Sequence, residues 1–417
     1  MESLMQDALK ASSALRNLAF PQAKVPPTHP SEDSEIRNIL MDRLPRIKII
    51  GVGGMGNNTV SSLMQLGGAE GVEIIAINTD AHHLLSSQAN RKLLIGKKST
   101  RGFGCGNTPG KGEIAARESL RVIHEAIQCD LCFVVCGLGG GTGTGAAPVI
   151  AAAAKEAGAL TISVCTLPFK MEGTVRRNNA HEGLCRLYEA SDTLIIVPNE
   201  RLIEISHDMS MLNAFKTADK ITVRGVKAIS ELITTPQMIN LDLADVRKVL
   251  GEGGVALIGL GESNSAKDKV TEAVDEALRN PLQQDVDIGS ARRALICVMG
   301  GTNLSLQDAE SAVLRISNEI EQEAEIIWGA SVEPTLGSTV RVIAILSDVK
   351  SMFTEDPALS RTGPFSLMNE FFSDLSKSAL SEPSQVDLPK QSVPLNQQGH
   401  NSMDEKPKKK RFGFLRG

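Results

Sequence analysis

The sequence predicts an α/β protein: a parallel sheet wound with helices, joined by a long helix to a smaller α+β unit. Three observations carry this. The chain has 417 residues, enough for two to three domains at about 150 residues each. Short apolar runs alternate with segments of helical composition, the pattern of strands whose crossovers are helices. Glycine, 37 of the 417 residues, gathers immediately after two of those runs.

Residues 1–44 read as a leader. Leu4, Ala8, Leu15 and Leu18 suit a short amphipathic helix, and Pro21, Pro26, Pro27 and Pro30 then mark a loose stretch. Residues 45–212 form the first domain. Its strands are expected at 47–52, 72–78, 131–136, 160–166 and 193–197 in a Rossmann-like parallel sheet. From Asn213 to Ile233 the chain has no proline and one glycine, which predicts a helix about 30 Å long within a connecting segment over 213–250. A smaller α+β domain follows over 251–350, with strands at 256–260, 294–299, 325–332 and 339–346. Its helices are marked by Val270, Val274 and Leu278, and by Leu306, Ala309, Val313, Ile316 and Ile320. Residues 351–405 turn to Ser, Pro, Gln and Asn, the composition of a disordered linker. Residues 406–417 form a tail with five basic residues between Lys406 and Arg411, then Phe412, Phe414 and Leu415.

Composition excludes several functions. A net charge of −5 and a pI near 5.9 argue against a nucleic-acid partner. Aromatics are 3% of the chain, too few for a base-stacking platform. No apolar run reaches the ~18 residues of a membrane span, and Met1-Glu2-Ser3-Leu4 is not a secretory start. Cys129, Cys132 and Cys136 have the spacing of metal ligands, but they fall in an apolar strand where cysteine acts as a small hydrophobe. No metal set is assigned, and reduced thiols fit the cytoplasm.

Chemistry enters with the glycines. Gly51-Val52-Gly53-Gly54-Met55-Gly56-Asn57-Asn58 follows a strand and opens a helix, where free backbone amides suit a phosphate. Gly51, Gly53 and Gly56 also fit the dinucleotide fingerprint, and Asp80 stands near the place of its ribose acid, so a Rossmann-type NAD-dependent dehydrogenase stays open at this point. The second cluster, Gly137-Leu138-Gly139-Gly140-Gly141-Thr142-Gly143-Thr144-Gly145, holds six glycines in nine residues. No Lys-Ser or Lys-Thr follows, so it is not a P-loop. It reads as a second, denser phosphate cradle on the same strand ends.

That second loop resembles the signature loop of the tubulin/FtsZ family. The first cluster, Asn78-Thr79-Asp80 and Thr100-Arg101-Gly102 match the family in order and spacing, and the resemblance runs from about Arg46 to Asp348. It implies the tubulin/FtsZ fold and a GTPase that assembles head to tail into the filaments of a cytokinetic ring at mid-cell, with GTP or GDP and Mg²⁺ as its ligands. By resemblance, Gly53, Gly54, Met55, Gly56, Asn57 and Asn58 form the first phosphate loop, with Asn58 toward the guanine side. Gly139, Gly140, Gly141, Thr142, Gly143 and Thr144 form the second, and Gly104 approaches the γ-phosphate. Glu172 falls on the ribose hydroxyls with Arg176 beside it. Asn199 contacts guanine, Phe215 stacks on it, and Asp219 accepts from its N1–H and amine, which favours guanine over adenine. Asn240, Asp242 and Asp245 enter the site of the next subunit, where the acids orient the attacking water. Read without the resemblance, Asp242 and Asp245 are acids at a helix start that stabilise its dipole.

Met55 stands where the family usually has a small residue, so its side chain must turn away from the phosphates, and the loop 104–109 also departs from the usual pattern. The tail only loosely resembles the family's segment for binding division partners or a membrane anchor. Leader and tail differ from the commonest bacterial forms, which points to an archaeal or otherwise divergent member. The alternative within the family is a filament protein for cell shape or positioning.

Overall fold

Apolar strands buried on both faces build the sheet, as the unbroken Val/Ile/Leu runs require. The computed structural model describes residues 45–69, 71–199, 242–251, 254–279 and 286–351, with 223–227, 229, 230 and 233 between. The expected leader, the linker beyond 351 and the tail lie outside the described residues. In order the chain forms β1 (Ile47–Val52), α1 (Gly53–Gln65), β2 (Val72–Asn78), α2 (Ala81–Ser86), β3 (Arg91–Leu94), α3 (Pro109–Glu118), α4 (Leu120–Ala126), β4 (Leu131–Gly137) and α5 (Thr142–Glu156). Next come β5 (Leu160–Leu167), a 3-10 turn (Lys170–Glu172), α6 (Thr174–Ala190) and β6 (Thr193–Pro198). After the connecting segment stand α7 (Leu243–Leu250), β7 (Val255–Ser263), α8 (Lys269–Leu278), β8 (Val286–Asp287), β9 (Arg293–Gly300), α9 (Leu306–Ser317), β10 (Glu325–Val332), β11 (Val340–Ser347) and β12 (Lys350–Ser351).

The first six strands lie in the order β3-β2-β1-β4-β5-β6, all parallel. The order reverses between β1 and β4, and at such a switch point the loops diverge and leave a crevice at the carboxyl ends of the strands. Both glycine clusters follow these two strands. Along β1, Ile47 and Ile49 face one buried cluster while Ile50 and Val52 face the other, so the sheet has a core on each side.

The sheet does not stop at the expected domain boundary. Strand β7 pairs with β6 in parallel through Leu194–Val255 and Ile195–Ala256, and β11, β9 and β10 extend it with antiparallel β7–β11 and β11–β9 pairs. Residues 223–227, 229, 230 and 233 of the expected long helix are helical. Val223, Val226 and Ile229 are buried in the same cluster as Val60, Leu63, Val246 and Ile343. Among the described residues no helix is long and apolar enough to cross a membrane.

Two readings change. Strand β3 was not expected, because Arg91-Lys92-Leu93-Leu94 carries two bases. It is the sheet's edge, where charge is tolerated and guards against pairing with another chain. In α9 the buried face is Ala309, Ala312 and Ile316, while Leu306 is 71% exposed. Ser305 caps this helix, its Oγ accepting from Asp308 N, and Leu306, first after the cap, sits beyond the packed face.

Candidate functional site

A cavity of about 580 Å³ opens at the switch point, within the range of small-molecule sites. Its walls come from the ends of β1, β2, β4, β5 and β6 and the loop before α3. From the first glycine turn it takes Gly54, Met55 and Asn58; from the second, Gly140, Gly141, Thr142 and Gly143. A Cβ built on Gly140 would meet nothing within 4 Å, and one on Gly54 only His83 Nε2 at 4.0 Å. Protein packing therefore does not require glycine at either place, and their bare backbone faces open space. Other glycines serve close approach: a Cβ on Gly145 would lie 1.9 Å from Pro109 O, and one on Gly56 2.3 Å from Val135 O.

Gly53, Gly56, Asn57, Gly139 and Thr144 stand behind the wall instead of on it. Oriented to satisfy its surroundings, the Asn57 amide donates to Gly51 O at 2.8 Å and accepts from Asn78 Nδ2 at 3.0 Å, locking the first turn. Thr144 Oγ1 accepts from Gly139 N at 2.9 Å, which fixes the second turn where Gly139 takes a φ of +100°. These residues shape the cradle from within; the family resemblance assigns whole loops to the phosphates and does not separate a loop's wall from its backing. Met55 lies along its own helix, its Sδ 3.6 Å from Thr59 Oγ1.

A hydrogen-bonded chain links three loops across the cavity floor. Thr79 Oγ1, just past β2, shares a 2.6 Å hydrogen bond with Thr142 Oγ1 and lies 3.3 Å from Cys105 Sγ. Asn179 on α6 donates from Nδ2 to Asn107 O at 3.0 Å and to Gly139 O at 3.3 Å. With Gly104, Cys105, Gly106 and Asn107 on the wall, the loop before α3 is tied to both turns. At the opposite end stand Glu172, Arg176 and Asn199. Glu172 Oε1 accepts from Phe169 N at 2.9 Å, and the Glu172 carboxylate pairs with Arg176 one helical turn on. The carboxylate keeps lone pairs for a hydroxyl donor. Asn199 is buried, and its Oδ1 has no partner among the described residues. A buried orphan acceptor on a cavity wall is satisfied when a donor enters.

Asp80, considered above for a ribose, is spent otherwise: its Oδ1 accepts from His82 N at 2.9 Å and His83 N at 3.0 Å and caps α2. Asp242 and Asp245 do not line the cavity. They form a reciprocal cap on α7, Asp245 N donating to Asp242 Oδ1 at 2.8 Å and Asp242 N to Asp245 Oδ2 at 3.2 Å. The helix-start reading of these acids is therefore realised, and each carboxylate has an oxygen outside the cap. Phe215, Asp219 and Asn240 lie outside the described residues. Cys136, at the end of β4, is fully enclosed and burial pushes its thiol up to about 12. Among the described residues no group of three or more His, Cys, Asp or Glu is placed to hold a metal ion.

Sequence reasoning missed His83, Phe103 and Asn179. Placing β2 beside the switch point would have drawn attention to His83, three residues after the cap at Asp80. Nothing in the sequence brings Asn179 to Asn107.

Residues 46–207 match the model of the tubulin/FtsZ family GTPase domain, and residues 254–350 that of the FtsZ family C-terminal domain. A cell division protein FtsZ 1 of Archaeoglobus fulgidus is 52% identical over 320 residues, 76% of this chain and 86% of that one. The FtsZ 1 of Methanocaldococcus jannaschii is 49% identical over 77% of this chain and 87% of its own. A solved FtsZ dimer from M. jannaschii superposes with a TM-score of 0.71 at 48% identity, covering 77% of this chain and 92% of that one. CetZ2 from Haloferax volcanii shares the fold, with a TM-score of 0.65 at 22% identity over 80% of this chain and 99% of that one. With a cavity framed by both glycine turns and two family models matched in succession, the chain belongs to the tubulin/FtsZ family, carrying its GTPase domain followed by the FtsZ C-terminal domain.

Proposed function

We propose that this protein is a cell-division GTPase that binds GTP in the switch-point cavity and polymerises head to tail into the filaments of a mid-cell ring. The observation that carries the reading is the open backbone at Gly54 and Gly140, a cradle shaped for a ligand and not for packing. Amides of Gly54, Met55 and Gly140 to Gly143 take the phosphates, the Glu172–Arg176 pair meets the ribose, and Asn199 Oδ1 accepts from the base. Phe215 and Asp219 complete the guanine contact. Mg²⁺ entering with the nucleotide would supply charge neutralisation for phosphoryl transfer. Asn240, Asp242 and Asp245 serve the neighbouring subunit's nucleotide, with the carboxylates orienting its attacking water. The capping bonds between Asp242 and Asp245 hold both side chains in place for that task. Identity of about half to archaeal proteins named cell division protein FtsZ 1 favours division over a role in cell shape or positioning. The tail over 406–417 tethers the filament to a division partner or a membrane anchor in the cytoplasm.

The test is a dilution series. A site completed by a second subunit gives GTP hydrolysis per molecule that is near zero when dilute and rises above a threshold where light scattering also appears. Specific activity that stays constant far below that threshold would overturn the shared site.

A further inference from the structure

His83 is a cavity-wall group that lies outside both glycine turns. It lies on α2, just beyond β2, and its backbone is pinned by the bond from His83 N to Asp80 Oδ1. Its ring state follows from Asn78. Asn78 Oδ1 accepts from Thr79 N at 2.8 Å and Asp80 N at 3.2 Å, so the amide cannot be reversed without losing two backbone donors. Its Nδ2 therefore carries the donors: one goes to the Asn57 side-chain oxygen at 3.0 Å, and the other is left for His83 Nδ1 at 3.5 Å. A donor facing Nδ1 makes that nitrogen the acceptor, and the neutral ring then carries its proton on Nε2. Nε2 is also the atom that approaches the first glycine turn, 4.0 Å from where a Cβ on Gly54 would stand. The chain from backbone to Asn78 to imidazole thus aims one N–H over the bare backbone of the cradle.

The position of His83 selects what it meets. In the sheet, β2 lies on one side of the β1–β4 switch point and β5 and β6 on the other. Glu172, Arg176 and Asn199 approach from the β5–β6 side, whereas His83 approaches from the β2 side with Asp80 and Gly104. A nucleotide with its sugar and base at the first end brings the far end of its phosphate chain to the second.

We propose that His83 reads the terminal phosphate: its Nε2–H donates to the γ-phosphate and sets a preference for the triphosphate over the diphosphate. This rests on the cavity binding guanine nucleotides, and the experiment separates the two. Titrate the full chain, its His83→Ala, His83→Gln and His83→Asn variants, with GDP and with a GTP analogue bridged by methylene between the β and γ phosphorus atoms. Binding of both ligands by the parent supports the cavity reading; binding of neither overturns that reading and this one together. Loss of a charge-assisted donor should weaken the analogue about tenfold in His83→Ala and leave GDP within about twofold. Gln places its amide nitrogen near the Nε2 position and should restore the analogue to within about threefold. Asn, which reaches only the Nδ1 position, should behave as Ala. Equal losses for the two ligands, no loss for either, or rescue by Asn in place of Gln would overturn the assignment. The Gln and Asn comparison does this even if the Ala variant folds poorly.

Discussion

Two glycines of the second cluster, Gly140 before α5 and Gly145 within it, should answer differently to one added methyl. At Gly145 a Cβ would lie 1.9 Å from Pro109 O, a backbone atom that cannot swing aside. Gly145→Ala should separate α5 from α3 and cost ~1–3 kcal/mol, read by urea unfolding. At Gly140 a Cβ meets nothing within 4 Å. Gly140→Ala should leave the unfolding curve in place and weaken GTP binding by titration, because the methyl enters the ligand's space. Glycine density exposed this loop in the sequence, since so many flexible residues in a row need a reason. Which glycine packs and which faces the ligand was not legible, because that depends on carbonyls brought in by other segments. The same holds for the Thr79–Thr142 bond, whose partners are 63 residues apart.

Elements were more legible than contacts. The parallel strands announced themselves because burial on both faces demands unbroken apolar runs, and β1 falls where its run predicts, at Ile47–Val52. Edge strand β3 gave no such signal, since half its residues answer to solvent. What fastens the elements is also hidden in sequence. Arg46, one residue before β1, joins Asp130, one residue before β4: Arg46 N donates to Asp130 Oδ2 at 2.8 Å and Nη2 to Oδ1 at 3.3 Å. The side-chain hydrogen bond from Arg46 holds the Asp130 carboxyl below the usual carboxylate range, against the opposing push of burial. A folded value below the unfolded one of about 3.9 means the folded state favours the charged form. The stability this contributes is therefore present above about pH 4 and fades as pH falls through the lower folded value. Asp130→Asn should lower stability at neutral pH and flatten its dependence below pH 4, measured by urea unfolding across pH 2 to 7; parallel curves for parent and variant would remove the pair from the acid response.

At the scale of the whole molecule, the acids and the cradle are separable. Asp242 and Asp245 cap α7 and are absent from the cavity wall, so each can be altered without touching the other. Asp245→Ala should still bind GTP and assemble, with hydrolysis slowed ~10²–10⁴-fold and filaments that persist. Its loss also removes one capping bond, so a modest fall in unfolding midpoint accompanies it. Thr142→Arg should block the cradle while presenting intact acids. Mixing the two variants should return part of the GTPase activity, by pairing a working cradle with a working carboxylate in a heterologous contact. A mixture as inactive as its parts would count against exchange between subunits. From sequence the acids were placed across an interface by family resemblance alone, because a linear chain does not say which of its ends will meet another copy.

The cysteines have a practical consequence. All seven are unbridged and buried, and burial pushes the thiols of Cys136 and Cys185 up to about 12. Thiolate, the form that attacks an alkylating dye, is therefore scarce at these two, whereas the hydrogen bond with Cys132 holds the Cys129 thiol below its ordinary value, against the opposing push of burial, and Cys129 is shielded by its 6% exposure. Enclosure of all seven is thus what keeps the native background low in fluorescent labelling. A single cysteine introduced at an exposed apolar position such as Leu85, 78% exposed, should react ahead of the enclosed native thiols and report assembly, with Cys129→Ser as the control for the one native thiol that is shifted down. Cys105 is the useful exception. At 4% exposure on the cavity wall, it lies where a nucleotide would cover it, so its slow modification serves as a clock for occupancy, ticking in the empty protein and stopping in the loaded one.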